Sequence, residues 1–144
     1  MVRISGIAAL LLVLGAGFLS ACNPGQAVPS ERVSLALNQS ARLASDVTVR
    51  VDSINDSRCP EDVQCIWGGM AGATLTLSKN ADAQTVNLRL GHRNQTINGV
   101  TYTDSTGVTF GLNRYKVILR DVVPYPSRKT ASQPKEALIQ VSRL

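Results

Sequence analysis

Two cysteines, one histidine and a short run of acids are the residues of this 144-residue chain best suited to chemistry. Cys59 and Cys65 have five residues between them, and Asp52, Asp56, Glu61 and Asp62 crowd the same stretch. Reduced, the two thiols together with His92 offer soft ligands to zinc or cuprous copper, but their spacing matches no zinc signature. The four acids offer oxygens to calcium, but lack the regular acidic spacing and central glycine of an EF-hand loop. His92 lies between Gly91 and Arg93 with no nucleophile elbow or Cys-His signature beside it, and reads as a loop residue. The sequence therefore assigns no catalytic residue, no metal ligand and no cofactor.

Oxidised, Cys59 and Cys65 close a small ring around Pro60. Loop-closure entropy values such a bridge at about 2–2.5 kcal/mol, so it shapes the loop more than it secures the fold. The stretch 56–69 then becomes a candidate binding loop carrying Arg58, Glu61, Asp62, Gln64 and Trp67. A pre-shaped loop loses little entropy on association. In an extended chain Cys65 and Trp67 share a side, so the indole is expected to lie buried against the bridge. Gly68 and Gly69 permit a sharp bend into the next strand. A purely structural alternative exists for each residue: Asp56 caps a turn, Arg58 pairs with it and Trp67 fills the core.

The elements that position this loop are legible in the rest of the chain. Residues 1–21 read as a cleaved signal: Arg3 supplies a positive start, and Ile7 to Leu19 form a short apolar run. Residues 22–31 form a polar tether containing Pro24, Gly25 and Pro29. Residues 32–144 form one domain, long enough for a modest single core. Arg3 is the only charge before Cys22, so removing the signal lowers the formal net charge of +5 by one. The basic residues are scattered and no basic run carries interleaved aromatics, which argues against nucleic-acid binding.

From Val33 onward apolar residues recur with period two: Val33-Leu35-Leu37, Val47-Val49-Val51, Ala73-Leu75-Leu77, Val86-Leu88-Leu90 and Val108-Phe110-Leu112. Gln39 to Leu43 allows a short strand, Asn80 to Ala83 a hairpin connection, and Asn98-Gly99 a tight turn leading to Val100-Thr101-Tyr102. Tyr115 to Val123 is apolar on both faces and reads as a central strand, ended by Pro124-Tyr125-Pro126. A last strand covers Ala137 to Val141. No segment carries a helical stripe. The fold class is all-β: an antiparallel β-sandwich or small barrel of about seven or eight strands.

Two resemblances add to this. Leu19-Ser20-Ala21-Cys22 resembles a bacterial lipobox, which implies cleavage before Cys22 and acylation of that cysteine. Several acyl chains make a stable anchor. Asn23 in place of aspartate implies the outer membrane, on its periplasmic face, where the host has one; an envelope protein is the expected partner of the loop. Three cysteines less the lipidated one leave a pair, and an oxidising envelope favours bridging it. Asp56-Ser57-Arg58-Cys59-Pro60 with Val63, Cys65, Trp67 and Gly69, and later Tyr115 to Leu119 and Pro124-Tyr125-Pro126, resembles a family of small exported bacterial proteins without an established activity. In build, and in Trp67-Gly68-Gly69 before a strand, the chain is also similar to the lipoprotein inhibitors of c-type lysozyme. The serine-glycine-tyrosine loop of that family is not found upstream.

Overall fold

Alternating apolar and polar residues can bury one face of a strand only if a second sheet covers it. Here two four-stranded antiparallel sheets do so for each other. The computed structural model describes residues 30–91, 96–97, 100–101 and 104–144. The strands are β1 (Ser30–Ala36), β2 (Ser40–Arg42), β3 (Thr48–Asp56), β4 (Ala71–Lys79), β5 (Asp82–Leu90), β6 (Thr96–Ile97), β7 (Val100–Thr101), β8 (Ser105–Phe110), β9 (Asn113–Val123) and β10 (Glu136–Arg143). One sheet has the order β1-β10-β9-β8 and the other β2-β3-β4-β5, while β6 pairs with β7. The fold is a small β-sandwich. His92, Cys22 and the signal lie outside the described residues, as do most of the tether and the Asn98-Gly99 turn.

The core is filled by the residues that alternation marks, including Val47, Val49, Val51, Leu75, Leu77, Val117, Leu119 and Ile139, each fully buried. Tyr115 is buried among them, and its hydroxyl accepts a hydrogen bond from Lys79 Nζ at 2.8 Å, so the phenol brings no unpaired polar atom inside. β9 is central, as its apolar run predicts. Two expectations fail at strand ends. Leu37 and Leu112 continue the alternation in sequence, yet β1 stops at Ala36 and β8 at Phe110. Both leucines fall in turns and are exposed, at 53% and 102%. At the other margin, β1 takes in Ser30 and Glu31, which the sequence places in the tether. The Glu31 carboxylate accepts the backbone N–H groups of Ala44 and Ser45, which fastens the strand's start to the β2–β3 turn.

Two bulges change which residues face the core. On β3, Val51 pairs with Leu75 but the next pair is Ser53 with Thr74, so Asp52 has no partner of its own. Odd-numbered residues point inward up to Val51. Beyond the bulge even-numbered residues do, and Ile54 and Asp56 turn toward the interior. On β9, Leu119 pairs with Ile139 and Asp121 with Leu138, leaving Arg120 as the extra residue. The inward set changes from Val117 and Leu119 to Val122. Both shifts occur near the end of the sandwich where the disulfide loop sits.

Candidate functional site

The loop between β3 and β4 begins as a continuation of their ladder. Ser57 N–H donates to Met70 O at 2.8 Å and Cys59 N–H to Gly68 O at 2.9 Å. Between these rungs Gly69 adopts a φ of +69°, a left-handed conformation that glycine enters without steric cost. A Cβ there would lie 1.9 Å from Ser57 O, so the close approach of the two loop feet requires glycine. Cys59 and Cys65 are bridged, with their Cα atoms 6.0 Å apart. The loop then docks on the segment after β9: Glu61 N–H donates to Pro126 O at 3.0 Å, and the Asp62 carboxylate accepts Arg128 N–H at 2.8 Å.

Arg58 holds the base of the loop from inside. The sequence places it on the binding surface, but it is 5% exposed, which corrects that expectation. Its Nε and Nη2 donate to the two oxygens of Asp56, each at 2.8 Å, in a bidentate pair. Nη1 reaches Asp121 Oδ1 at 3.1 Å, Nη2 also donates to Val122 O, and the guanidinium lies 4.5 Å from the centre of the Tyr125 ring. Lys135 Nζ approaches the Asp56 carboxylate at 3.4 Å and donates to Pro124 O at 2.6 Å. Burial pushes the Asp56 carboxyl up, but Arg58 through hydrogen bonds and charge, with Lys135 adding charge, holds it below the ordinary carboxylate range. Burial would lower Arg58, and its bonds to Asp56 and then Asp121 raise it instead. A charged group is fixed here because each guanidinium nitrogen has an acceptor and two carboxylates face it.

Above this base the loop tip is apolar and open. Ile66 is 110% exposed and Trp67 70%, and Val63 and Met70 are exposed beside them in sequence. The expected burial of Trp67 against the bridge is therefore wrong. The chain bends at Ile66 and Trp67 instead of running extended, so the two-residue alternation that would align Trp67 with Cys65 does not apply. Glu61, Asp62 and Gln64 are exposed, as the candidate loop requires.

The acids suited by type to calcium are separated by their partners. Asp52 accepts from Thr76 Oγ1 and Arg50 Nε, bonds that hold its carboxyl below the usual range against a smaller opposing effect of burial. Among the described residues no three of His, Cys, Asp and Glu gather as a metal site.

No family model, curated protein or solved structure matches this chain. The site therefore has to be read from its own geometry. Sequence reasoning missed Asp121, Tyr125 and Lys135 as supports of the loop. The one available signal was Asp121 itself, an acid interrupting the apolar run of β9.

The bridge and the indole should contribute differently to stability. Replacing both Cys59 and Cys65 with alanine is expected to cost about 2 kcal/mol in denaturant unfolding. Trp67→Ala should cost less than about 1 kcal/mol, because an exposed ring leaves no cavity. A loss above about 3 kcal/mol for Trp67→Ala, the figure for a core aromatic, would contradict the open tip.

Proposed function

We propose that the chain is a lipid-anchored cell-envelope protein that acts as a non-catalytic binding module, engaging an envelope protein through the tip of the 56–69 loop. One observation carries this proposal. Four of the seven large apolar residues exposed among the described residues, Val63, Ile66, Trp67 and Met70, lie in or next to the 56–69 loop, which carries the Cys59–Cys65 bridge and whose base is rigidly paired. Apolar side chains including an aromatic, held on a pre-shaped loop, are the usual makings of a binding hot spot.

The topology favours the same reading. Ser30 pairs with Ser142 near the end of β10, whereas the loop docks on the segment preceding β10. The described chain thus begins near one end of the sandwich and presents the loop at the other. The full exposure of Ile66 also suits insertion into the cleft of an envelope hydrolase such as lysozyme, which is the second reading.

A photo-crosslinker at Gln64 in intact cells tests the binding function. A discrete crosslinked protein is expected, and it should disappear in Ile66→Ser with Trp67→Ser while thermal stability is unchanged. A crosslink indifferent to both substitutions would overturn the loop. Inhibition of lysozyme by the purified protein would select the second reading. The anchor is tested separately: Cys22→Ser should abolish labelling by radioactive palmitate, and persistent labelling would refute it.

A further inference from the structure

The bulge at Asp52 has a consequence on the outer face of the β3-β4-β5 sheet, away from the loop tip. Beyond it, two successive cross-strand rows face outward: Ser53-Thr74-Asn87, then Asn55-Gly72-Arg89. Gly72, with no side chain, leaves a depression in the middle of the second row. Two shallow hollows of about 280 and about 270 Å³ adjoin there and share Asn55, Gly72 and Arg89. Together they form a trough that runs from the loop feet, Ser57 and Met70, to Ser53, about 13 Å along the strand.

The lining is chemically specific. Thr74 Oγ1 donates to Asn87 Oδ1 at 2.7 Å, which fixes the amide and leaves its N–H groups without a protein acceptor among the described residues. The side chains of Ser53 and Asn55 make no hydrogen bond among those residues, and there the Arg89 guanidinium has no carboxylate within ion-pair distance. Asp104, the acid next to Arg89, takes only its backbone N–H. Among the described residues the trough therefore offers amides, hydroxyls and one guanidinium without an ion-pair partner, and no lining carboxylate.

We propose that this trough is a binding site for a carboxylate-bearing glycan, with Asn55, Asn87 and Ser53 contacting sugar hydroxyl and amide groups and Arg89 pairing with the carboxylate. A peptide fits less well. Strand β4, along the trough floor, is already paired on both sides, so no backbone groups remain there for strand addition, and Met70, at the loop end, is the one exposed apolar side chain in the trough's lining. A sugar needs neither. It is recognised by side-chain donors and acceptors of fixed direction, and a planar guanidinium suits a carboxylate. The trough shares Met70 with the loop's apolar set but includes neither Ile66 nor Trp67.

The test is calorimetric titration of the purified full-length protein with oligosaccharides of alternating N-acetylglucosamine and N-acetylmuramic acid, and with neutral N-acetylglucosamine chains of equal length. The acidic glycan should bind at least about tenfold more tightly, the scale of one charge-assisted pair. Arg89→Gln, a change at an exposed side chain, should remove that preference. Asn55→Ala with Asn87→Ala should weaken both glycans about tenfold. Ile66→Ser with Trp67→Ser should alter neither, which separates failure of this site from failure of the loop. Equal affinity for both glycans, a preference surviving Arg89→Gln, binding that depends on Trp67, or binding of an acidic peptide but no glycan would each overturn the assignment.

Discussion

Arg58→Ala is expected to destabilise the protein by about 3–5 kcal/mol at neutral pH, the scale for removing one partner of a buried ion pair. The substitution leaves Asp56, whose side chain is 2% exposed, with only the backbone N–H of residue 58 and Lys135 as partners, and strips Val122 O and the Tyr125 ring of their shared contact. Arg58→Lys keeps the charge but not the fork or the stacking, and should fall between the two. The effect should depend on pH in a definite direction. In the native protein Asp56 titrates below its unfolded value of about 3.9, so its contribution is complete above that pH and is lost as pH falls through the lower folded value. Without the Arg58 side chain the strongest influences lowering the carboxyl are gone, so it titrates higher than in the native protein and the variant loses less stability in acid. The gap between native protein and variant should narrow from pH 7 to pH 3. Urea unfolding at both values checks this, and a constant gap would contradict it.

Gly69→Ala should be almost as costly, at about 3 kcal/mol or more. Two effects add. A left-handed φ costs a non-glycine residue about 1 kcal/mol, and the new methyl meets the backbone at Ser57 O and Arg58 Cα, which no rotamer change can relieve. Gly111 separates the two contributions. Its φ is +59°, but a Cβ there would have nothing within 4 Å, so Gly111→Ala should cost about 1 kcal/mol. The feet of the disulfide loop should part in the Gly69 variant, and exchange of the Cys59 amide, which bonds to Gly68 O, should accelerate. Equal losses at the two glycines would mean that the close approach is not rigid.

The strands were legible because alternation is a local signal and burial on one face enforces it. Central β9 was legible for the same reason. What local patterning cannot show is where a strand stops: Leu37 and Leu112 fit the period and lie in turns. Nor does it show side chains whose partners are remote. Arg58 is a surface residue by composition; its pairing with Asp56, two positions away, was legible, but its burial also rests on Asp121, Val122 and Tyr125, 63 positions and more later. Trp67 fails for the opposite reason, since an indole is placed inside by default and here the chain bends before it can follow the alternation. The bridge was legible from the number and closeness of the cysteines. The outward rows across β3, β4 and β5 were not, because they depend on registers that a bulge alters, and Asp52 and Arg120 look like ordinary surface residues.

The extra residue in β3, like Arg120 in β9, also gives the gene a tolerance that a strand without a bulge lacks. A codon lost at Asp52 would close the ladder from Val51 directly to Ser53, with Ile54, Asn55, Asp56 and Arg58 still on their present faces. A codon lost at Ser53, Ile54 or Asn55 can be absorbed by the same slack, with only the residues between it and Asp52 changing sides. An added codon finds no such slack in β4, whose nine residues pair without interruption against β5, and would turn over the strand beyond it. Length variation in this protein should therefore be directional: β3 can shorten by one residue, while β4 is held to its count.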